Sequence, residues 1–320
     1  MNSKFPRRDF LTGAAAVAAL SCLSLKPSTA RELLYPPVDL SYFNMPIPPG
    51  PSEIRYGYAA ITWGGNDRQA IDDVSALGFR GIQIRSNAVD EFSSIQALRD
   101  LLQMHHLTFV ALSSGGVNID GAQADEIAKH AAHAKFLHDC GGLYLQVTDD
   151  RPKNRAITAA DYKKLGALLT EIGKRTADLG VPLGYHNHMG SLGEHPEEVD
   201  QILEATDPRY AKLELDIAHY FQGGGDPVKC IEKYSDRLLF LHIKDVEKVP
   251  AATDPKKNYR FVELGRGQVD LPAVFKALQK ANFRGWAVVE LDEVPDKSRT
   301  PKECAAISKK YLEEKLGITV

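Results

Sequence analysis

The chain has 320 residues, 43% of them hydrophobic and 25% charged, an ordinary globular composition long enough for one large domain or two compact ones. The formal net charge is −3, with both signs mixed along the chain. That excludes the basic stripe by which a nucleic-acid reader holds phosphates, so no nucleic-acid partner is expected.

The opening stretch MNSKFPRRDFLTGAAAVAALSCLSLKPSTA sets Lys4, Arg7 and Arg8 ahead of an apolar run from Gly13 to Leu25 and closes on Ser28, Thr29 and Ala30. This is the layout of a signal peptide over residues 1–30. Arg7-Arg8-Asp9-Phe10-Leu11 resembles the twin-arginine signal of bacterial proteins exported already folded, so a periplasmic location is expected. The apolar run falls short of the roughly 18 residues a membrane-spanning helix needs, and no stable span is expected in the mature form. Cys22, after Ala19-Leu20-Ser21, offers a lipoprotein-type cleavage site as the alternative, a lipid anchor. Cleavage would remove Lys4, Arg7, Arg8 and Lys26 against Asp9 and move the net charge from −3 to −6. The cysteines that remain, Cys140, Cys230 and Cys304, are odd in number and lack CxxC spacing, which reads as buried apolar residues rather than a disulfide framework or a zinc knuckle.

Residues 31–53 carry six prolines and no period, as in an extended segment. Beyond them the sequence becomes rhythmic. Short apolar runs predict strands at Arg55–Ile61, Gly81–Arg85, Thr108–Ser113, Leu143–Thr148, Pro182–His188, Lys212–Asp216, Leu238–Ile243 and Trp286–Leu291. Stretches such as DRQAIDDVSALGF, SSIQALRDLLQMHH and LPAVFKALQKANF lie between them, their apolar residues recurring at three and four as on one face of a helix. PKECAAISKKYLEEKLG supplies a closing helix. Strands that are continuous apolar runs, alternating with helices, point to a parallel sheet covered by helices. Eight such units in about 250 residues predict an α/β fold, a single (β/α)8 TIM barrel domain over residues 54–320. A doubly wound open sheet is the alternative, but no GxGxxG follows the first strand.

In a barrel of this kind, chemistry sits at the C-terminal ends of the strands. Those ends are polar here: Trp63 after the first, Arg85 on the second, Asp149 and Asp150 at the fourth, His186 and His188 on the fifth. Asp216 and His219 follow on the sixth, His242, Lys244 and Asp245 on the seventh, and Glu290, Asp292 and Glu293 on the eighth. Each has a structural alternative. Strand-end acids can cap helices, the reading given to Asp226 before Pro227, while Trp63 can pack in the core and Lys244 can pair with Asp245 or Glu247. The coincidence of an acid or imidazole near the ends of strands five to eight calls for a shared partner, because burying so many ionisable groups is costly unless something pairs with them. A set of His, Asp, His and Glu suits a divalent metal, manganese, cobalt, magnesium or zinc, better than copper(I) or an iron–sulfur cluster.

From Arg55 to Leu316 the chain resembles the xylose isomerase-like TIM barrel superfamily of sugar phosphate isomerases and epimerases, and within it inosose dehydratase and its relatives. The matching pieces are YGYAAITWGGND, ALGFRGIQIR, GYHNHMG, ELDIAHYFQGGGDP, DRLLFLHIKDV and the closing GWAVVELDEVP. The resemblance implies a divalent metal held by His186, Asp216, His242 and Glu290, with His186 or His188 as the strand-five ligand. Many relatives keep a glutamate at the strand-five position that also acts as a base, so the histidine here departs from a two-glutamate epimerase mechanism.

The chemistry expected of such a site is proton abstraction next to a carbonyl. His188 or Glu290 is the expected base, His219 and Lys244 contact substrate oxygens, Trp63 packs on a sugar face and Arg85 orients a polar or anionic group. The expected substrate is a small non-phosphorylated sugar or cyclitol, since phosphorylated sugars are largely cytosolic and QGGGDP is the nearest approach to a phosphate loop. The expected activity is a metal-dependent sugar isomerase or epimerase. Alternatives are a lyase of the inosose dehydratase or 3-keto-glycoside type and an exported non-catalytic sugar-binding protein. A phosphate-ester hydrolase would want a basic face that this chain lacks.

Overall fold

A computed structural model describes residues 53–92, 94–249 and 258–320. The expected signal peptide, Cys22, and all but the last residue of the proline-rich segment lie outside the described residues.

The strands in chain order are β1 (Ile54–Ala59), β2 (Gly81–Arg85), β3 (Thr108–Val117), β4 (Tyr144–Asp149), β5 (Leu183–His186), β6 (Ala211–Asp216), β7 (Leu238–Ile243), β8 (Asp245–Lys248), β9 (Tyr259–Val262) and β10 (Gly285–Val289). β1 to β7 and β10 close into a barrel in the order β1-β10-β7-β6-β5-β4-β3-β2, every neighbouring pair parallel. The run GWAVV of β10 is buried throughout, as a strand covered on both faces requires. The helices are α1 (Asp67–Ala76), α2 (Ala88–Glu91), α3 (Ile95–Met104), α4 (Gln123–Asp139), α5 (Ala159–Asp178), α6 (Pro196–Glu204), α7 (Ile217–Gln222), α8 (Pro227–Lys233), α9 (Leu271–Lys280) and α10 (Pro301–Leu316).

The helix signals are local. In α9 the buried residues Leu271, Val274, Phe275 and Leu278 recur at three and four, one apolar stripe toward the barrel. Asp226 caps α8 by accepting from the amides of Val228 and Lys229, with Pro227 at the first helical position, where its missing N–H costs nothing. Thr300 and Glu303 form a reciprocal capping box at the start of α10, and Gly317, at φ 65°, ends that helix in the left-handed conformation. Cys140, Cys230 and Cys304 are buried free thiols. Among the described residues no helix is long and apolar enough to cross a membrane.

Two local expectations change. β5 ends at His186, so His188 lies beyond the strand rather than one pleat further along it. Strand seven does not lead directly to a helix: the chain first forms an antiparallel hairpin of β8 and β9, with Val246 opposite Phe261. This hairpin follows a barrel strand at its C-terminal end, where a connection can cover the mouth of the barrel.

Candidate active site

Asp216 is the last residue of β6 and also the N-cap of α7. One carboxylate oxygen, Oδ1, accepts from the amides of Ala218 and His219, both at 2.8 Å. The other, Oδ2, is buried and has no hydrogen-bond partner. Asn187 fixes the same residue from the neighbouring strand: its side-chain oxygen accepts from the Asp216 amide at 3.0 Å and its NH2 donates to the Asp216 carbonyl at 3.1 Å. The side chain of Asn187 thus extends the β5–β6 pairing one step past the end of β5.

His242, beside Asp216 in register, is oriented from below. Its Nε2 donates to Gln83 Oε1 at 2.8 Å, and Gln83 in turn donates to Gln146 at 3.2 Å. With a proton committed at Nε2, the other nitrogen, Nδ1, faces Glu290 Oε1 at 3.2 Å and Asp216 Oδ2 at 3.7 Å. Glu214, two residues before Asp216 and fully buried, sits between the two imidazoles, 2.9 Å from His242 Nε2 and 3.2 Å from His186 Nδ1. Burial disfavours a charge on His242, but Glu214 and Glu290 outweigh it and push its pKa well above the ordinary value. Burial likewise raises Glu214, and the same two imidazoles reverse the effect and hold it below the usual range.

Ligand atoms of His186, Asp216, His242 and Glu290 lie within 4.8 Å of one another, and all four residues are buried. The set fits a divalent cation. Three side-chain atoms of these residues, His186 Nδ1, Asp216 Oδ2 and His242 Nδ1, are buried with no hydrogen bond, which a native interior rarely tolerates without a partner. The donors are nitrogen and oxygen only, as the hard and borderline divalent metals prefer. A cation arriving at His242 Nδ1 displaces a proton, the usual link between metal binding and ligand ionisation.

Lys244 reaches the same centre from just beyond β7 and is fully buried. Its Nζ donates to Glu290 Oε1 at 3.0 Å and to Asp292 Oδ1 at 2.5 Å, lies 3.0 Å from His219 Nε2, and sits 4.1 Å from the centre of the Phe261 ring. Burial opposes its charge, and Asp292, Glu290 and Asp216 overcome that and push the pKa upward. Burial opposes the charge of Glu290 as well, but His242 and Lys244 hold it well below the carboxylate range. Phe261 belongs to β9, so the hairpin is the cover over this side of the site. Neither Asp245 nor Glu247 takes up the lysine: Glu247 pairs with Arg260, and Asp245 accepts four backbone amides, from Val246, Gly265, Gly267 and Val269.

His188 and His219 complete the mouth. Their rings are 3.9 Å apart, and the His186 ring is 5.7 Å from the first and 5.8 Å from the second. His188 Nδ1 lies 2.7 Å from the Met189 carbonyl, which only accepts, so Nδ1 carries the proton and Nε2 is bare. Burial, His186 and Lys244 lower its pKa and keep the ring neutral. His219 is lowered much further by burial and by Lys244. Its Nδ1 accepts from the Met189 amide at 3.1 Å.

The structure therefore brings together His186, His188, Asp216, His219, His242, Lys244 and Glu290. Trp63 and Arg85 are placed otherwise. The Trp63 indole donates to Asp73 of α1 at 2.9 Å and its ring packs edge-on against Tyr58 in the core. Arg85 ends β2 with an exposed side chain. Asp149 accepts from the Tyr185 hydroxyl and the Leu192 amide, pinning the loop after β5. Glu214, Gln83, Asn187 and the pairing of Asp292 were not foreseen. The signal for Glu214 was its two-residue spacing from Asp216, which puts both on one face of the strand. For Gln83 it was an amide inside the apolar run GIQIR.

The model of the xylose isomerase-like TIM barrel family matches residues 71–313, and the chain belongs to that family. Among characterised proteins it is similar to an inosose dehydratase of Lacticaseibacillus casei, 26% identical over 299 residues, covering 83% of this chain and 98% of that one. Among solved structures it is similar in fold to the IolI protein with a bound zinc atom, at TM-score 0.69 and 19% identity over 81% of this chain and 97% of that one. A D-allulose 3-epimerase from Methylomonas sp. superposes at TM-score 0.65 and 19% identity, covering 83% of this chain and 99% of that one.

Proposed function

We propose that this member of the xylose isomerase-like TIM barrel family is a divalent-metal-dependent enzyme. It takes the proton next to a carbonyl of a non-phosphorylated sugar or cyclitol and returns it elsewhere, isomerising or epimerising the substrate. The observation that carries this reading is the convergence of four buried nitrogen and oxygen ligands, with three of their residues' polar atoms lacking a hydrogen bond and a neutral imidazole, His188, at their edge.

His186, Asp216, His242 and Glu290 hold the cation, which when bound supplies Lewis-acid polarisation of the substrate carbonyl. His188 is the base. It is half-buried, within reach of the barrel mouth, and its bare Nε2 can accept a carbon-bound proton. General-base catalysis of this kind contributes about 10²- to 10⁴-fold. Glu290 is a ligand rather than the base, since His242 and Lys244 hold its pKa well below the carboxylate range and so leave it a weak proton acceptor. Lys244 and His219 contact substrate oxygens as they develop charge.

A second outcome of the same first step, loss of water, is supported by His186. A histidine at the strand-five position leaves an imidazole where many relatives keep a second carboxylate base, and an elimination needs one base and one proton donor rather than two bases on opposite faces. The similarity to an inosose dehydratase supports the same outcome. Export through the twin-arginine signal remains part of the proposal, supported by the residues before Ala30.

The test is NMR of the metal-loaded protein with a panel of keto-sugars and inososes. Epimerised or isomerised product supports the first outcome and loss of water the second. Binding without exchange of any carbon-bound proton leaves a sugar-binding protein and sinks the enzymatic reading.

A further inference from the structure

Three overlapping groups at the barrel mouth have the composition of cation sites. Besides His186, Asp216, His242 and Glu290, there are His186, His188 and His219, and there are His219, Glu290 and Asp292. The last group is already filled. The Nζ of Lys244 touches one polar atom of each of its three members: His219 Nε2 at 3.0 Å, Glu290 Oε1 at 3.0 Å and Asp292 Oδ1 at 2.5 Å. It also lies 3.6 Å from Asp216 Oδ2. Glu290 is common to this group and to the four-residue one, so a cation in each would share that carboxylate.

We propose that Lys244 is a tethered cation standing where a second divalent metal would otherwise bind, and that it thereby holds the site to one metal. The inference rests on the reading that the four-residue group takes a divalent ion. Metal pairs that share ligands sit about 3.5–4 Å apart, and an ammonium held at the second position by the Glu290 and Asp292 carboxylates leaves no room and adds repulsion. The surroundings suit a lysine better than a hydrated ion. Its Nζ faces the Phe261 ring at 4.1 Å, an attraction open to an ammonium, and the same ring stands 4.5 Å from the His219 ring. The β8–β9 hairpin carries Phe261 to this position.

Charge supports the same account. Four carboxylates, Glu214, Asp216, Glu290 and Asp292, meet in the site or directly beneath it. One divalent ion and one ammonium leave a single negative charge among them. Without the ammonium two are left, and a second divalent ion would neutralise both.

The experiment counts metal in the full-length protein. Wild type and Lys244→Ala are saturated with Mn2+, freed of excess, and measured by native mass spectrometry and by electron paramagnetic resonance. The expected result is one Mn2+ per wild-type chain with the spectrum of an isolated ion, and two per Lys244→Ala chain with a spin-coupled spectrum. Adding Asp292→Asn to Lys244→Ala should return the count to one. Two ions in wild type, or one in Lys244→Ala, would overturn the inference and leave the proposed function standing. No Mn2+ in wild type would overturn both. If Lys244→Ala does not fold when made without metal, the inference requires that Mn2+ during refolding rescue it with two ions bound. Failure to rescue, or rescue with one ion, counts against it.

Discussion

Gln83 and His242, on opposite sides of the barrel interior, are joined by a 2.8 Å hydrogen bond that commits the proton of one ring nitrogen and turns the other toward Asp216 and Glu290. The amide is held in that sense by its own donation to Gln146. Partners of this kind set the tautomer and orientation of a ligating histidine, and their loss typically costs 10- to 100-fold in metal affinity. Gln83→Leu should therefore weaken metal binding by about that factor while leaving the fold intact, as checked by calorimetric titration with Mn2+ and by circular dichroism.

Glu214 should matter in a different way. It stands between His186 and His242, within 3.2 Å of both. Glu214→Gln keeps the shape and removes the charge that balances the two rings. The expectation is a loss of metal affinity of about 10- to 100-fold, with the affinity rising less steeply with pH than in wild type, because Glu214 no longer helps hold a proton on His242. Titrations at several pH values check both parts.

His188 is outside the four-residue metal group. His188→Gln should leave the metal content unchanged and lower kcat by about 10²- to 10⁴-fold, the range of a lost general base. Metal analysis alongside steady-state rates separates this from a lost ligand, for which content and rate fall together.

Asp245 and Gly267 supply a stability test away from the chemistry. The Asp245 carboxylate gathers the amide of Val246 in β8 and three amides of the chain between β9 and α9, and a Cβ on Gly267 would stand 2.2 Å from its Oδ1 and 2.5 Å from the Val246 carbonyl oxygen. Gly267→Ala should destabilise the fold by roughly 1–3 kcal/mol, the range for overpacking a tight site, measured by urea denaturation.

Glu126 supplies a pH test. Burial alone would raise its pKa, but the His130 imidazole 3.6 Å away and hydrogen bonds from Lys129 and the Asn118 amide hold it down, from 4.5 to about 2. A carboxylate depressed in the folded state contributes stability that is fully present above about pH 4.5 and is lost as pH falls toward about 2. Glu126→Gln should therefore be less stable than wild type at pH 6, and the difference should shrink between about pH 4.5 and 2 in denaturation curves taken across that range.

Much of the fold was legible because the signals were local. Apolar runs of five or six residues, such as LLFLHI, and helical stripes such as Leu271, Val274 and Leu278 need no knowledge of distant contacts. The four residues of the metal group were legible as polar side chains on the ends of consecutive strands. What escaped depends on pairings across the barrel. Gln83 meets His242 from 159 residues away, and Lys244 finds Glu290 and Asp292 rather than its sequence neighbours. Trp63 shows the converse. An aromatic at a strand end fits a sugar face or a core equally well, and only the position of Asp73 shows where its N–H is used. The hairpin after β7 was hidden because Asp245–Lys248, with only Val246 apolar, carries too little pattern to read as a strand.

The most direct test of the account is deuterium incorporation. The protein is stripped with a chelator, half is reloaded with Mn2+, and both halves are incubated in D2O with the keto-sugar and inosose panel. The expected result is deuterium at the carbon next to the carbonyl of at least one compound with the reloaded protein, none above background with the stripped protein, and incorporation slowed by about 10²- to 10⁴-fold with reloaded His188→Gln. Exchange at the same rate in stripped and reloaded protein, or no exchange in either, would contradict it.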